Sequence, residues 1–420
     1  MVLKRIVVFV IVLFSALMTY SQSCHVQLPE CARPDTNVLQ MFGEGREFER
    51  FVEKMDSVVL FGQGRVNILH IGGSHVQADF YTHVIRQNID SLNADLRPPR
   101  GYVFPYSAAK TNNPLNYRST YGGEWKSARN ARKQFDIDQG MGGILIYTSD
   151  SSSWINIDLN RDSTLRYQTN RVHLLGRSMH GAFSPRLMTK DSLFFFPTVE
   201  PTGYLFNLDK DVEEFKIEII KDTALSHVAD TFVITGIMPD NDEPGIVYNS
   251  IGVNGASVPS YLDCKDFERD LHLMKPDLAI FAIGINDATA GNFTDSLFCA
   301  NYDSLISRIR NVNPDCALLF ITNNDSYKRK YRRTYIVNTN GLVAQESFYK
   351  LARKYNGGLY DLFKIMGGLK SMAQWQEMGL ARRDKVHFTQ DGYEIIGKMF
   401  FDAFLEYYLN TDYKLQNDIW

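Results

Sequence analysis

The sequence predicts an α/β protein built on a parallel sheet, with an antiparallel β-sandwich set into it. Three observations carry this prediction. Strands alternate with helices near both ends of the chain, and short alternating runs broken by turn residues fill the middle. The length of 420 residues is more than one compact core usually fills. The α/β domain takes 24–100 and 245–420, the inserted unit takes 101–244, and 1–23 precede both.

The first segment reads as an export signal. Lys4 and Arg5 precede an apolar run over 6–17, and small and polar residues follow around Ser21 and Ser23. That is the charged, apolar, cleavable layout of a secretory peptide, and its apolar run is short for a bilayer span. An uncleaved anchor is the alternative. Cys24 raises lipid attachment, but Ser21-Gln22-Ser23 lacks the usual aliphatic residue before such a cysteine. The mature chain is expected to be soluble, and periplasmic or extracellular.

Export permits disulfides. The five cysteines are Cys24, Cys31, Cys264, Cys299 and Cys316, so at least one is free or intermolecular. Cys24 and Cys31 could pair locally, but the sequence does not decide it. No Cys or His spacing suits a structural metal, so no metal or cofactor is expected. A net charge of −3, without a long basic run interleaved with aromatics, argues against a nucleic-acid partner.

The α/β rhythm opens at Val66-Asn67-Ile68-Leu69-His70-Ile71, a short apolar strand ending in Gly72-Gly73, with a helical pattern over about 78–92. It resumes with a buried strand over 277–283, a helix over 295–312 and a strand over 316–322. A helical region from about Arg333 and a closing helix over 392–408 complete it. Such alternation predicts a parallel sheet covered on both faces. Between these parts, the runs 144–148, 154–159, 171–175, 192–196, 215–220 and 231–237 read as the strands of a sandwich. Trp125 and Trp154 fall there, either as core residues or as stacking surfaces for sugars. The basic run Lys328-Arg329-Lys330-Tyr331-Arg332-Arg333 reads as a solvated helix start, or as a contact for an acidic glycan.

Four separated clusters carry possible chemistry. Ser74, in Gly72-Gly73-Ser74-His75, follows a strand and opens a helix, at the sheet edge where open α/β folds bind ligands. Alone, it could equally be a helix cap. Asn254-Gly255-Ala256 offers a glycine whose amide can approach a ligand closely. Gly284-Ile285-Asn286-Asp287 ends the 277–283 strand and offers an oxyanion donor in Asn286. Asp384-Lys385-Val386-His387 precedes the last helix, with a spacing that can aim Asp384 and His387 at one point. Each alone is common turn or surface chemistry.

Together, in this order, the clusters resemble the SGNH (GDSL-like) hydrolase family, over roughly 60–100 and 245–410. The resemblance implies a flavodoxin-like three-layer fold and a Ser74–His387–Asp384 triad. It also implies an oxyanion hole made of the Ser74 and Gly255 amides and the Asn286 side chain. One departure is Gly73, where the family usually has Asp before the serine; that residue supports the triad without belonging to it. His75 matches the Gly-Asp-Ser-His variant.

The runs His70-Ile71-Gly72-Gly73-Ser74-His75-Val76-Gln77-Ala78-Asp79 and Gly101-Tyr102-Val103-Phe104-Pro105 also look like bacterial peptidoglycan O-acetylesterases with an inserted module similar to a carbohydrate-binding domain. This resemblance implies an exported serine esterase that removes acyl groups, foremost acetyl, from peptidoglycan or another polysaccharide. The alternatives are an O-acyltransferase with the same triad, a non-catalytic carbohydrate-binding protein, and a surface adhesion protein.

Overall fold

The computed structural model describes residues 27–417 apart from 78, 133–135, 162–164 and 332–333, with the backbone alone for 412–417. The expected signal segment and Cys24, with its pairing to Cys31, lie outside the described residues. Among the described residues no helix is long and apolar enough to cross a membrane. None of Cys31, Cys264, Cys299 and Cys316 is bonded to another.

The central sheet has six strands, in the order Leu39–Met41, Gly358–Tyr360, Ala317–Ile321, Leu278–Ala282, Arg65–Gly72 and Gly245–Gly252. All are parallel except the first, which runs antiparallel along one edge. Successive side chains of a strand point to opposite faces, and the burial follows. Leu69, Ile71, Ala279, Phe281, Leu318 and Phe320 join one apolar core. Ile68, Leu278, Ile280, Ala317, Leu319 and Ile321 join the other. Both faces are therefore covered, which explains why these strands read as continuous apolar runs. Helices Arg46–Phe61, Tyr81–Asp90 and Gln390–Asn417 close the second face. Helices Phe267–Met274, Asp295–Val312 and Asn340–Lys354 lie on the first.

Residues between the strands Arg65–Gly72 and Gly245–Gly252 build two antiparallel sheets, of six and five strands. Ser152–Asp158 and Glu214–Lys221 alternate buried and part-exposed residues, as one-sided sheets must. The core does not stop at the border of this region. Tyr102, Ile144 and Ile237 share a cluster with Ile71 and Ile251 of the parallel sheet. The Tyr102 amide donates to Asn249 Oδ1 at 2.8 Å and its hydroxyl to the Thr235 carbonyl at 2.8 Å. Trp125 is buried, its indole donating to the Gly122 carbonyl at 3.0 Å. Trp154 is half-buried, with Lys216 Nζ 4.9 Å above its ring.

Three details depart from expectation. The antiparallel region interrupts the second and third strands in chain order, because Leu39–Met41 comes first. The helix expected over 78–92 starts only at Tyr81 and ends at Asp90; a separate short helix, Ser74–Gln77, precedes it, and Asp79 between them takes a left-handed φ of 52°. The basic run is not a helix start: Tyr327–Tyr331 pairs with Thr334–Val337 in a hairpin, and the helix begins only at Asn340. The β-branched and aromatic run Thr334-Tyr335-Ile336-Val337 outweighs the helix preference of the lysines and arginines.

Candidate active site

The strand order turns back on itself at Arg65–Gly72: the next parallel strand in sequence lies on one side of it, and Leu278–Ala282 lies on the other. Ligands of open α/β folds bind at the carboxyl ends of strands that flank such a point. Ser74 follows Arg65–Gly72, Gly255 follows Gly245–Gly252 and Asn286 follows Leu278–Ala282. Three of the five candidate residues thus come from adjacent strand ends.

The other two arrive from far along the chain. Ser74 Oγ lies 2.7 Å from His387 Nε2, and His387 Nδ1 lies 2.9 Å from Asp384 Oδ2. A tight turn explains the second contact. Lys385 takes a left-handed φ of 54°, and Asp384 Oδ1 accepts the Val386 and His387 amides at 2.9 and 3.0 Å. Burial pushes the Asp384 carboxyl up, but the His387 ring and these two amides outweigh it and hold the group far below the usual carboxylate range. The carboxylate beside Nδ1 fixes the tautomer with its proton there, which leaves Nε2 free to accept from the Ser74 hydroxyl.

Glycines shape the turn before Ser74. A Cβ at Gly72 would fall 2.1 Å from Val76 Cγ2, so the close strand-to-helix turn admits no side chain there. Gly73 differs: a Cβ would meet Asn286 Nδ2 and the Ala256 carbonyl at an ordinary 3.6 Å. The position where the family usually has an aspartate therefore faces Asn286, one of the candidate oxyanion donors. Asn286 Nδ2 donates to the Ala256 carbonyl at 2.8 Å, and Gly255 is exposed with a φ of 86°.

Several supporting residues were not foreseen. Gln77 Oε1 accepts the Asn254 amide at 2.7 Å, tying the glycine turn to the serine helix. Asp287 accepts the Val258 amide at 3.2 Å, tying the same turn to the Asn286 strand end, and burial raises its carboxyl to about 6. The His75 ring lies 5.2 Å from that of His387, its Nδ1 2.8 Å from the Tyr393 hydroxyl. Burial, then the neighbouring His387, lowers His75 to about 3, so it stays neutral. Behind these rings lies a cavity of about 40 Å³, lined by His75, Asn323, Phe388 and Tyr393 among others. Asp79 is buried deeper. Arg100 Nη2 reaches it at 2.9 Å and Asn116 Nδ2 at 2.7 Å. Burial raises its carboxyl, but Arg86 and Arg100 prevail and hold it at about 2. Gln77 and Asp79 stand in the motif around Ser74, yet only the fold reveals their partners. Among the described residues no cluster of His, Cys, Asp or Glu has the makings of a metal site.

Residues 238–395 match the model of the GDSL-like Lipase/Acylhydrolase family. The match takes in Gly255, Asn286, Asp384 and His387 but not Ser74, which the intervening sheets separate from them in sequence. The chain thus carries a GDSL-like acylhydrolase domain, in the fold of an SGNH carboxylic ester hydrolase. Among solved structures it is similar to a peptidoglycan O-acetylesterase, with a TM-score of 0.72 and 22% identity, covering 88% of this chain and 99% of that one. Shorter matches include a lipase/acylhydrolase from Enterococcus faecalis, with 22% identity over 39% of this chain and 77% of that one, and a TM-score of 0.30. Another is an acetyl xylan esterase, with 21% identity over 39% of this chain and 82% of that one, and a TM-score of 0.30. No curated protein matches the chain.

Proposed function

We propose that the protein is an exported serine esterase that removes acetyl groups from peptidoglycan or another acylated polysaccharide. One observation carries the chemistry: the unbroken hydrogen-bonded chain from Ser74 Oγ through His387 to Asp384, at 2.7 and 2.9 Å. The Ser74 hydroxyl attacks the ester carbonyl while His387 Nε2 takes its proton, and Asp384 steadies the imidazolium that forms. The Ser74 and Gly255 amides and the Asn286 side chain hold the oxyanion. The tetrahedral adduct collapses, His387 returns the proton to the departing sugar oxygen, and the acetyl group remains on Ser74. Water, deprotonated by His387, then releases acetate and restores the serine.

The substrate proposal draws on the likeness in fold to a peptidoglycan O-acetylesterase over 88% of the chain and on the charged and apolar pattern of 1–23. In this proposal 101–244 serves as an inserted β-sandwich similar to a carbohydrate-binding module, within a hydrolase domain of 24–100 and 245–420. Acetate release from acetylated glycans, with Ser74→Ala as the control, is the test. Ser74→Ala should lower turnover by about 10⁴-fold or more and Asn286→Ala by about 10²–10³-fold, both with the fold intact. Wild-type rates from Ser74→Ala would overturn the assignment. Release of acetate to water in the presence of excess acceptor sugar separates hydrolysis from acyl transfer.

A further inference from the structure

The hairpin of Tyr327–Tyr331 and Thr334–Val337 belongs to no other sheet. Its base is bound to the loop that carries Asp384 and His387. The Tyr327 amide donates to the Lys385 carbonyl at 3.1 Å, and Asn324 Nδ2 donates to the Val386 carbonyl at 3.0 Å. Lys385 Nζ sits 4.9 Å from the centre of the Tyr327 ring. The hairpin thus grows from the rim of the site, and strands of five and four residues carry its tip about 10–15 Å from that base.

Its surface is cationic and aromatic. Lys328, Arg329 and Lys330 lie on the first strand, and Arg382, Arg383 and Lys385 on the adjoining loop. Among the described residues, Lys328, Lys330, Arg382, Arg383 and Lys385 form no ion pair. Two of the acidic neighbours are already committed or withdrawn. Asp384 is engaged by His387 and Asp325 is buried. Tyr331 is 69% exposed and Tyr335 37% exposed, the latter paired across the strands with Arg329. A chain of net charge −3 has no general reason to gather cations here. Lys330 Nζ lies 5.8 Å from the centre of the Tyr331 ring, and cations beside exposed tyrosines match a polymer of sugar rings carrying carboxylates.

We propose that this hairpin and the 382–385 loop form the surface that holds the carboxylate-bearing part of the acylated glycan while its ester enters the site. The inference rests on the esterase reading above and extends it to the charge of the substrate. Fixed cations on the rim draw in an anionic polymer and orient it, and salt weakens that attraction.

The test compares hydrolysis of O-acetylated polygalacturonate with that of uncharged O-acetylated xylan. In wild-type protein, raising NaCl from about 50 to about 500 mM should depress kcat/KM, through KM, on the carboxylated glycan alone. The pair Lys328→Glu/Lys330→Glu should lower kcat/KM on that glycan by about tenfold and on xylan by less than about twofold, and Lys328→Arg/Lys330→Arg should restore it. Equal losses on both glycans, or salt-independent rates, would overturn the proposal. So would binding of duplex DNA or anionic phospholipid vesicles by Ser74→Ala protein as tight as its binding of de-acetylated polygalacturonate. If wild-type protein cleaves neither ester and Ser74 resists a fluorophosphonate, the esterase reading fails. Salt-sensitive polygalacturonate binding that charge reversal abolishes would then still support the surface.

Discussion

At the scale of single residues, the turn before Ser74 separates two glycines that look alike in sequence. A methyl group at Gly72 would overlap Val76, at 2.1 Å, and Gly72→Ala should destabilise by about 1–3 kcal/mol as the helix shifts. Gly73→Ala places its methyl at an ordinary 3.6 Å, so thermal unfolding should change by less than about 1 kcal/mol. Its effect should appear in kcat instead, because the methyl faces Asn286. Equal destabilisation by the two changes would contradict the geometry. Asp287 gives a test in pH. Burial lifts its folded pKa to about 6, above an unfolded value of about 3.9. The unfolded chain therefore releases this proton first as pH rises, and folded stability declines between about pH 4 and 6. Asp287→Asn keeps an acceptor for Val258 without that titration. Its melting temperature relative to wild type should climb from pH 4 to pH 7; a flat difference would count against the buried acid.

At the scale of elements, how much the sequence disclosed depended on how local each signal was. The strand before Ser74, the helix Asp295–Val312 and the strand Ile144–Thr148 were legible because their apolar periods are complete within a few residues. Ser74, Asn286, Asp384 and His387 each lie in a turn whose chemistry is written in consecutive residues, and the structure brings Ser74, His387 and Asp384 into hydrogen-bond contact. The edge strand Leu39–Met41 was not, since all three residues are only partly buried and show no alternation. Gly203–Val212 was missed for a like reason: its burial is irregular and its register slips after Asn207. The hairpin at Tyr327 was mistaken because helix-favouring cations occupy its first strand, while its cross-strand partners decide its state. Asp79 shows what no local reading supplies. It joins the start of helix Tyr81–Asp90 to Arg100 and Asn116 at the entrance to the antiparallel region. Its side chain and that of Arg100 are 3% and 1% exposed. Asp79→Ala should therefore cost about 3–5 kcal/mol by leaving a buried guanidinium unpaired, measurable by denaturant unfolding. A loss under about 1 kcal/mol would show that the pair adds little.

At the scale of the molecule, the two architectures share one interior. Ile71 and Ile251 of the parallel sheet belong to the same apolar cluster as Ile144, Phe206 and Ile237 of the antiparallel region. Calorimetry should give a single cooperative transition, with equal calorimetric and van't Hoff enthalpies. Two well-resolved transitions would mean that the regions melt independently. This continuity was hidden in the sequence, where a change of periodicity near 101 and again near 245 suggested separable units. A change of pattern marks a change of architecture; it does not say whether the hydrophobic interior is divided.

Ser74 and His387 stand 313 positions apart, with the whole antiparallel region and most of the parallel sheet translated between them. A ribosome that has finished Ser74 has not begun His387, and a chain that ends between Ser74 and Asp384 keeps the proposed nucleophile without the proposed base. On the proposed mechanism, hydrolysis therefore requires the last turn, Asp384 to His387, to be in place beside the sheet. Fragments that end before Asp384 should then be silent toward esters.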